Sequence, residues 1–93
     1  MYIFIYNTQN GEYFDEIDGY DFEHAAELFY SKQMRSNDNY NILDTDIFKE
    51  LIRGKKPEII IKTVEALLRY VTIRTIYAGN SCYKREEEIE WSL

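Results

Sequence analysis

The chain offers few groups able to make or break bonds. His24 is its one histidine and Cys82 its one cysteine. A general base needs an orienting partner and often a nucleophile within reach. His24 instead falls among Asp21, Glu23 and Glu27, where a surface or capping role fits it. A reactive thiolate needs a base, a cation or a helix N-terminus beside it. Lys84 and Arg85 follow Cys82, but no nucleophile signature surrounds it, so an inert, half-buried cysteine is expected. A single cysteine also excludes an internal disulfide and a Cys-rich zinc site.

Carboxylates are the abundant reactive group. Asp15, Glu16, Asp18, Gly19 and Asp21 have the flavour of a calcium loop, yet the register fails. Counting from Asp15, the twelfth position is Ala26 rather than a bidentate Glu. Paired carboxylates doing glycosidase work need a substrate cleft, which a chain of 93 residues has little room to build. Phosphate-binding glycine loops and serine nucleophile elbows are missing from the sequence. The expectation is a protein that is not an enzyme, with no cofactor and no metal.

What remains is charge. The net charge is −6. Met1 to Ser31 holds seven carboxylates (Glu12, Asp15, Glu16, Asp18, Asp21, Glu23, Glu27) and no Lys or Arg. The last eight residues hold Glu86, Glu87, Glu88 and Glu90, again without a base. Basic residues gather between these acidic ends, notably Lys49 to Lys56. Direct binding to DNA or RNA is disfavoured, because affinity there rests on Lys and Arg at phosphates. A basic protein surface is the favoured partner. The candidate contact residues are Asp15, Glu16, Asp18, Asp21, Glu23 and Glu27, then Glu86, Glu87, Glu88, Glu90 and Trp91. In an extended strand Glu86, Glu88 and Glu90 would share one face about 6.7 Å apart, a row of charge like that of a phosphate backbone. The plainer alternative is a charged edge strand that resists aggregation. Tyr13, Tyr20 and Trp91 are candidate anchors, because charge steers binding better than it holds it.

The acid run Glu12 to Glu27, the Glu86 to Glu90 cluster and the short chain together resemble small acidic phage-encoded inhibitors. These are the antirestriction and anti-CRISPR proteins that imitate DNA. The resemblance implies a non-enzymatic inhibitor of a nuclease or other nucleic-acid-binding protein, acting in the host cytoplasm. Two other readings stand beside it. One is an immunity or antitoxin-like protein that neutralises a basic toxin. The other is a small regulatory or assembly subunit that pairs with itself as a homodimer.

These residues must be positioned by a fold, and the sequence predicts one. The length sets one domain over residues 1–93. The fold class expected is α+β, with element order ββαααββ and a small antiparallel sheet. No run nears the ~18 apolar residues of a membrane span, and Met1 to Tyr6 lacks the basic start of a signal peptide. A cytoplasmic, non-membrane protein is expected. Tyr2 to Tyr6 is apolar on both faces, so a central strand covered on both sides is predicted. Asn10-Gly11 supports a tight turn into a second strand, Glu12 to Ile17. Asp21 is the expected cap of a helix whose Phe22, Ala25, Ala26 and Phe29 face the sheet, fading near Gln33 to Arg35. A polar loop, Ser36 to Asn41, follows.

Asp44 or Thr45 caps a short second helix that ends at Arg53-Gly54. Pro57 opens a third. Tyr70 to Tyr77 is ambiguous. Its β-branched residues favour a strand, while Ile61, Val64, Leu68, Val71, Thr75 and Ala78 continue a helical spacing that Gly79 would cap. The strand is preferred, because a lone hairpin is marginal and needs further strands. After a turn at Gly79-Asn80-Ser81, a final strand over Tyr83 to Trp91 is expected.

Overall fold

A computed structural model of the chain describes residues 1–37 and 44–84. The class is α+β, with the element order ββαααββ. β1 (Tyr2–Thr8) and β2 (Gly11–Ile17) form the N-terminal hairpin. α1 (Phe22–Asn37), α2 (Thr45–Ile52) and α3 (Pro57–Leu68) follow, then β3 (Thr72–Ala78) and β4 (Ser81–Lys84). The sheet is antiparallel with strand order β2-β1-β3-β4, so the first strand is interior and the two hairpins meet across β1 and β3.

Local chemistry sets the element ends. Gly11 takes φ 125° at the hairpin turn, a backbone region costly for other residues. Asp21 caps α1, its Oδ1 accepting the His24 N–H at 2.8 Å, and Asp44 caps α2, its Oδ1 accepting the Ile47 N–H at 3.1 Å. Gly19 lets the β2–α1 connection lie flat on the helix, since a Cβ there would stand 2.7 Å from the Ala25 Cα and N.

The ambiguous stretch is a strand. α3 stops at Leu68 because Arg69 turns to φ 65°, its N–H still bonding Glu65 O at 2.9 Å. Glu65 then reaches forward, its Oε2 accepting the Ile73 N–H at 2.6 Å and tying α3 to the start of β3. The register between β1 and β3 slips at Ile5/Tyr6, leaving Arg74 as the extra residue of a bulge. That slip is why Ile73 and Ile76, three residues apart, both enter the core.

One apolar cluster holds the fold together. It joins Phe4, Tyr6, Ile73 and Ile76 from the sheet to Phe29, Tyr30, Phe48, Ile60, Val64 and Leu68 from the helices. Phe29 stacks on Phe4 at 4.4 Å and Tyr30 on Phe48 at 4.0 Å between ring centroids. Offset ring pairs of this kind add about 0.5–1.5 kcal/mol beyond the area they bury.

Three expectations need correction. β1 is interior but covered on one side only. Phe4 and Tyr6 are buried under the helices, while Ile3 and Ile5 face the other way and stay half-buried. No described element lies over them. α1 runs through Asn37, further than its polar C-terminal residues imply, because Gln33 and Met34 still pack inward. β4 begins at Ser81, two residues early, since the turn needs only Gly79 and Asn80. The expected loop residues beyond Asn37, and the strand beyond Lys84, lie outside the described residues. Among the described residues, no helix is long and apolar enough to cross a membrane.

Candidate functional site

Where α1 leans on the first hairpin, its C-terminal half and the β1–β2 turn leave a cavity of about 570 Å³. Tyr6, Tyr13, Asp15, Lys32, Gln33 and Tyr70 line it together with the turn residues. β1 and β2 pair Phe4 with Asp15 and Tyr6 with Tyr13, which places these side chains on the helix-covered face. Gln33 follows Phe29 by one helical turn on the same buried stripe, so its amide is carried inward and the residue is only 6% exposed.

A connected hydrogen-bond network fills the cavity floor. The Tyr6 hydroxyl donates to Asp15 Oδ2 at 3.0 Å. Gln33 Nε2 donates to the Tyr6 hydroxyl at 3.1 Å and to Asp15 Oδ2 at 3.3 Å. The Tyr70 hydroxyl reaches Gln33 O at 3.3 Å and Oε1 at 3.4 Å. Lys32 Nζ stands 3.3 Å from Asp15 Oδ1. Buried polar groups are tolerable when satisfied in this way and costly otherwise. Burial pushes the Tyr6 hydroxyl up to about 12, opposed by the Gln33 hydrogen bond and reinforced by the Asp15 charge. It is therefore a fixed donor at neutral pH rather than an acid or base.

The sequence-predicted acids separate into two groups. Several are spent inside the fold. Asp15 belongs to the network above. Asp21 caps α1, and Glu23 Oε1 accepts the Gly54 N–H at 3.0 Å, joining α1 to the α2–α3 connection. Glu12, also in the acid run, pairs with Arg74 Nη1 at 2.7 Å across the sheet. Glu16, Asp18 and Glu27 make no ion pair among the described residues. Glu86, Glu87, Glu88, Glu90 and Trp91 lie outside the described residues. The predicted acids thus do not converge on one point. Among the described residues, no three His, Cys, Asp or Glu side chains could hold a metal ion together.

The two single-copy residues have simple settings. His24 Nδ1 accepts the Tyr20 N–H at 3.2 Å, and the two rings stack at 4.0 Å. Cys82 is exposed, contrary to expectation, because it pairs with Tyr77 on an edge strand and on the uncovered sheet face.

That uncovered face forms a second candidate surface. Its register rows run Phe14, Ile5, Thr75, Lys84 and Glu16, Ile3, Tyr77, Cys82. Phe14 is 65% exposed, and Tyr20, just beyond β2, is 82% exposed.

The chain matches no family model, no curated protein and no solved structure.

Sequence reasoning missed Gln33, Tyr70 and Phe14 as site residues. A signal existed for Gln33, a lone polar residue on an otherwise apolar helical stripe. One also existed for Phe14, whose neighbours Tyr13 and Asp15 fall on the core-facing side once β2 alternates. Tyr70 had none, because its place depends on where α3 stops.

Proposed function

We propose that this is a non-enzymatic binding protein of the cytoplasm. It blocks a nuclease or other nucleic-acid-binding protein by covering that partner's basic surface. The observation that carries the reading is the uncovered sheet face. Phe14, Ile3, Ile5 and Tyr77 make an apolar centre there, Glu16 stands in the same register row as Ile3 and Tyr77, and Asp18 follows one residue beyond the end of β2; neither acid has an ion partner among the described residues. Protein interfaces are built this way, with desolvated aromatic anchors inside a polar rim. Free carboxylates at the rim speed encounter with a positive surface and reject negative ones. Asp15, Asp21 and Glu23 are engaged within the fold, in the cavity network, the α1 cap and the contact to Gly54. Glu27 and the acids Glu86, Glu87, Glu88 and Glu90 with Trp91 join the reading on sequence alone.

Inhibition of DNA cleavage by a panel of restriction and CRISPR nucleases tests this. At least one enzyme should be inhibited. Phe14→Ala and the pair Glu16→Gln with Asp18→Asn should each weaken that inhibition about tenfold or more. Inhibition that ignores both changes would remove the proposal.

The same face favours a second reading, self-association, because an apolar sheet face can meet its own copy about a two-fold axis. Light scattering separates the two. A dimer that persists at high salt and is broken by Phe14→Glu, with Glu16 and Asp18 dispensable, would favour the second.

A further inference from the structure

We infer that the cavity between α1 and the first hairpin is a binding site for a guanidinium group, with Asp15 as its anchor and Lys32 as an internal stand-in for the ligand. The Asp15 side chain is only 13% exposed, yet one of its oxygens is met by a half-exposed partner. Oδ2 is saturated by two fixed donors, Tyr6 and Gln33. Oδ1 is met by Lys32 of α1, whose side chain is 48% exposed. A buried carboxylate is costly unless it is paired and hydrogen-bonded. Here half of that pairing comes from a half-exposed side chain, whose ammonium regains water when a second cation takes its place on Asp15.

The rest of the cavity suits a planar cation. Tyr13 and Tyr70 contribute rings to its wall, and aromatic faces attract guanidinium groups. Gln9 and Asn10 also line it, residues whose amide oxygens are of the type that accepts the remaining N–H groups of the fork. An anion would meet the Asp15 charge at the floor. An incoming guanidinium that takes Oδ1 and releases Lys32 leaves the site as neutral as before. A small free guanidine and an arginine side chain of a partner protein offer the same chemistry. This inference does not rest on the uncovered sheet face, since the cavity lies on the helix-covered side of β2.

The test is a titration of the full chain by NMR, following the Gln33 side-chain amide. The probes are agmatine, the capped tripeptide Gly-Arg-Gly, and the same tripeptide with neutral citrulline in place of arginine. One desolvated charge-assisted contact with ring stacking sets an expected Kd on the order of 1 mM for the arginine probes. Citrulline should bind at least tenfold more weakly. Asp15→Asn should weaken arginine binding at least tenfold. Lys32→Met should tighten it several-fold by removing the competitor, while Arg35→Met, an equal charge change on the same helix, should alter it less than twofold. A tripeptide that binds well above agmatine would assign the site to a partner's arginine, and equal affinities would assign it to a free guanidine. No saturable shift at Gln33, or weaker binding by Lys32→Met, would overturn the inference. The nuclease panel reads the sheet face separately, so either idea can fail alone.

Discussion

Replacing Tyr6 by Phe removes one oxygen from the centre of the buried network and little else. The ring remains edge-on to Phe29, with centroids 5.1 Å apart, so no cavity opens. Asp15 loses its 3.0 Å donor, and Gln33 loses its 3.1 Å acceptor. Hydrogen bonds to a charged group contribute about 1.5–3 kcal/mol, and neutral ones about 1 kcal/mol. Gln33 Nε2 and Lys32 still hold Asp15, which limits the damage. The expected loss at pH 7 is about 2–3 kcal/mol. For a chain this short, each kcal/mol lowers Tm by about 4–8 °C.

The pH dependence supplies an independent readout of the same substitution. Tyr6 and Tyr30 are each raised by burial from 10.0 to about 12 in the folded chain. Below the ordinary value, both folded and unfolded chains keep these protons. Between about 10 and about 12 the unfolded chain loses them first, so stability falls as pH rises. Each tyrosine contributes a slope of up to about 1.4 kcal/mol per pH unit in that window. Tyr6→Phe removes one contributor, so its decline should be shallower and its deficit against wild type should shrink near pH 11. Urea unfolding followed by circular dichroism at pH 7 and at pH 11 measures both effects. A deficit under about 0.5 kcal/mol at pH 7, with an unchanged alkaline slope, would refute the network as described.

Three further outcomes are expected from the same assay. Gly19→Ala should cost about 1–3 kcal/mol, because the new Cβ meets Ala25 backbone that cannot swing aside; a change within about 0.5 kcal/mol would contradict this. Arg69→Gly should leave stability unchanged or raise it by up to about 1 kcal/mol, since Arg69 ends α3 at a positive φ that suits glycine; a clear loss would show that the Arg69 side chain matters more than its backbone. Phe48→Ala should cost about 3–5 kcal/mol by deleting a fully buried ring stacked on Tyr30, and a loss under about 1 kcal/mol would mean that α2 is not part of the cooperative core.

The fold was largely legible because local signals agreed with each other. Asn10-Gly11, Asp21, Asp44, Gly54 and Pro57 mark ends of elements, and each stands at or beside the end it marks. The break between α3 and β3 was harder, because Val64, Leu68 and Val71 are buried with helical spacing across it. It is settled by Arg69 and by the Glu65 contact to Ile73, which no periodicity encodes. The coverage of β1 was misread for a related reason. Ile3 and Ile5 are apolar enough to be buried, but burial on the second face needs another layer, and no described element supplies one. The acids were legible as charge but not as roles. Composition cannot distinguish Asp21, which caps a helix, from Asp18, which forms no ion pair among the described residues.

The central claim is that aromatic rings and free carboxylates on the uncovered sheet face grip a positively charged protein surface. It is tested most directly by measuring Kd for an inhibited nuclease across a range of salt concentrations, for wild type, Phe14→Ala and Glu16→Gln with Asp18→Asn. The account predicts that wild-type affinity falls steeply with salt. It also predicts that the acid substitutions flatten that dependence, and that Phe14→Ala weakens binding at every salt concentration with the slope kept. A wild-type affinity indifferent to salt, or a slope unchanged by loss of Glu16 and Asp18, would contradict it.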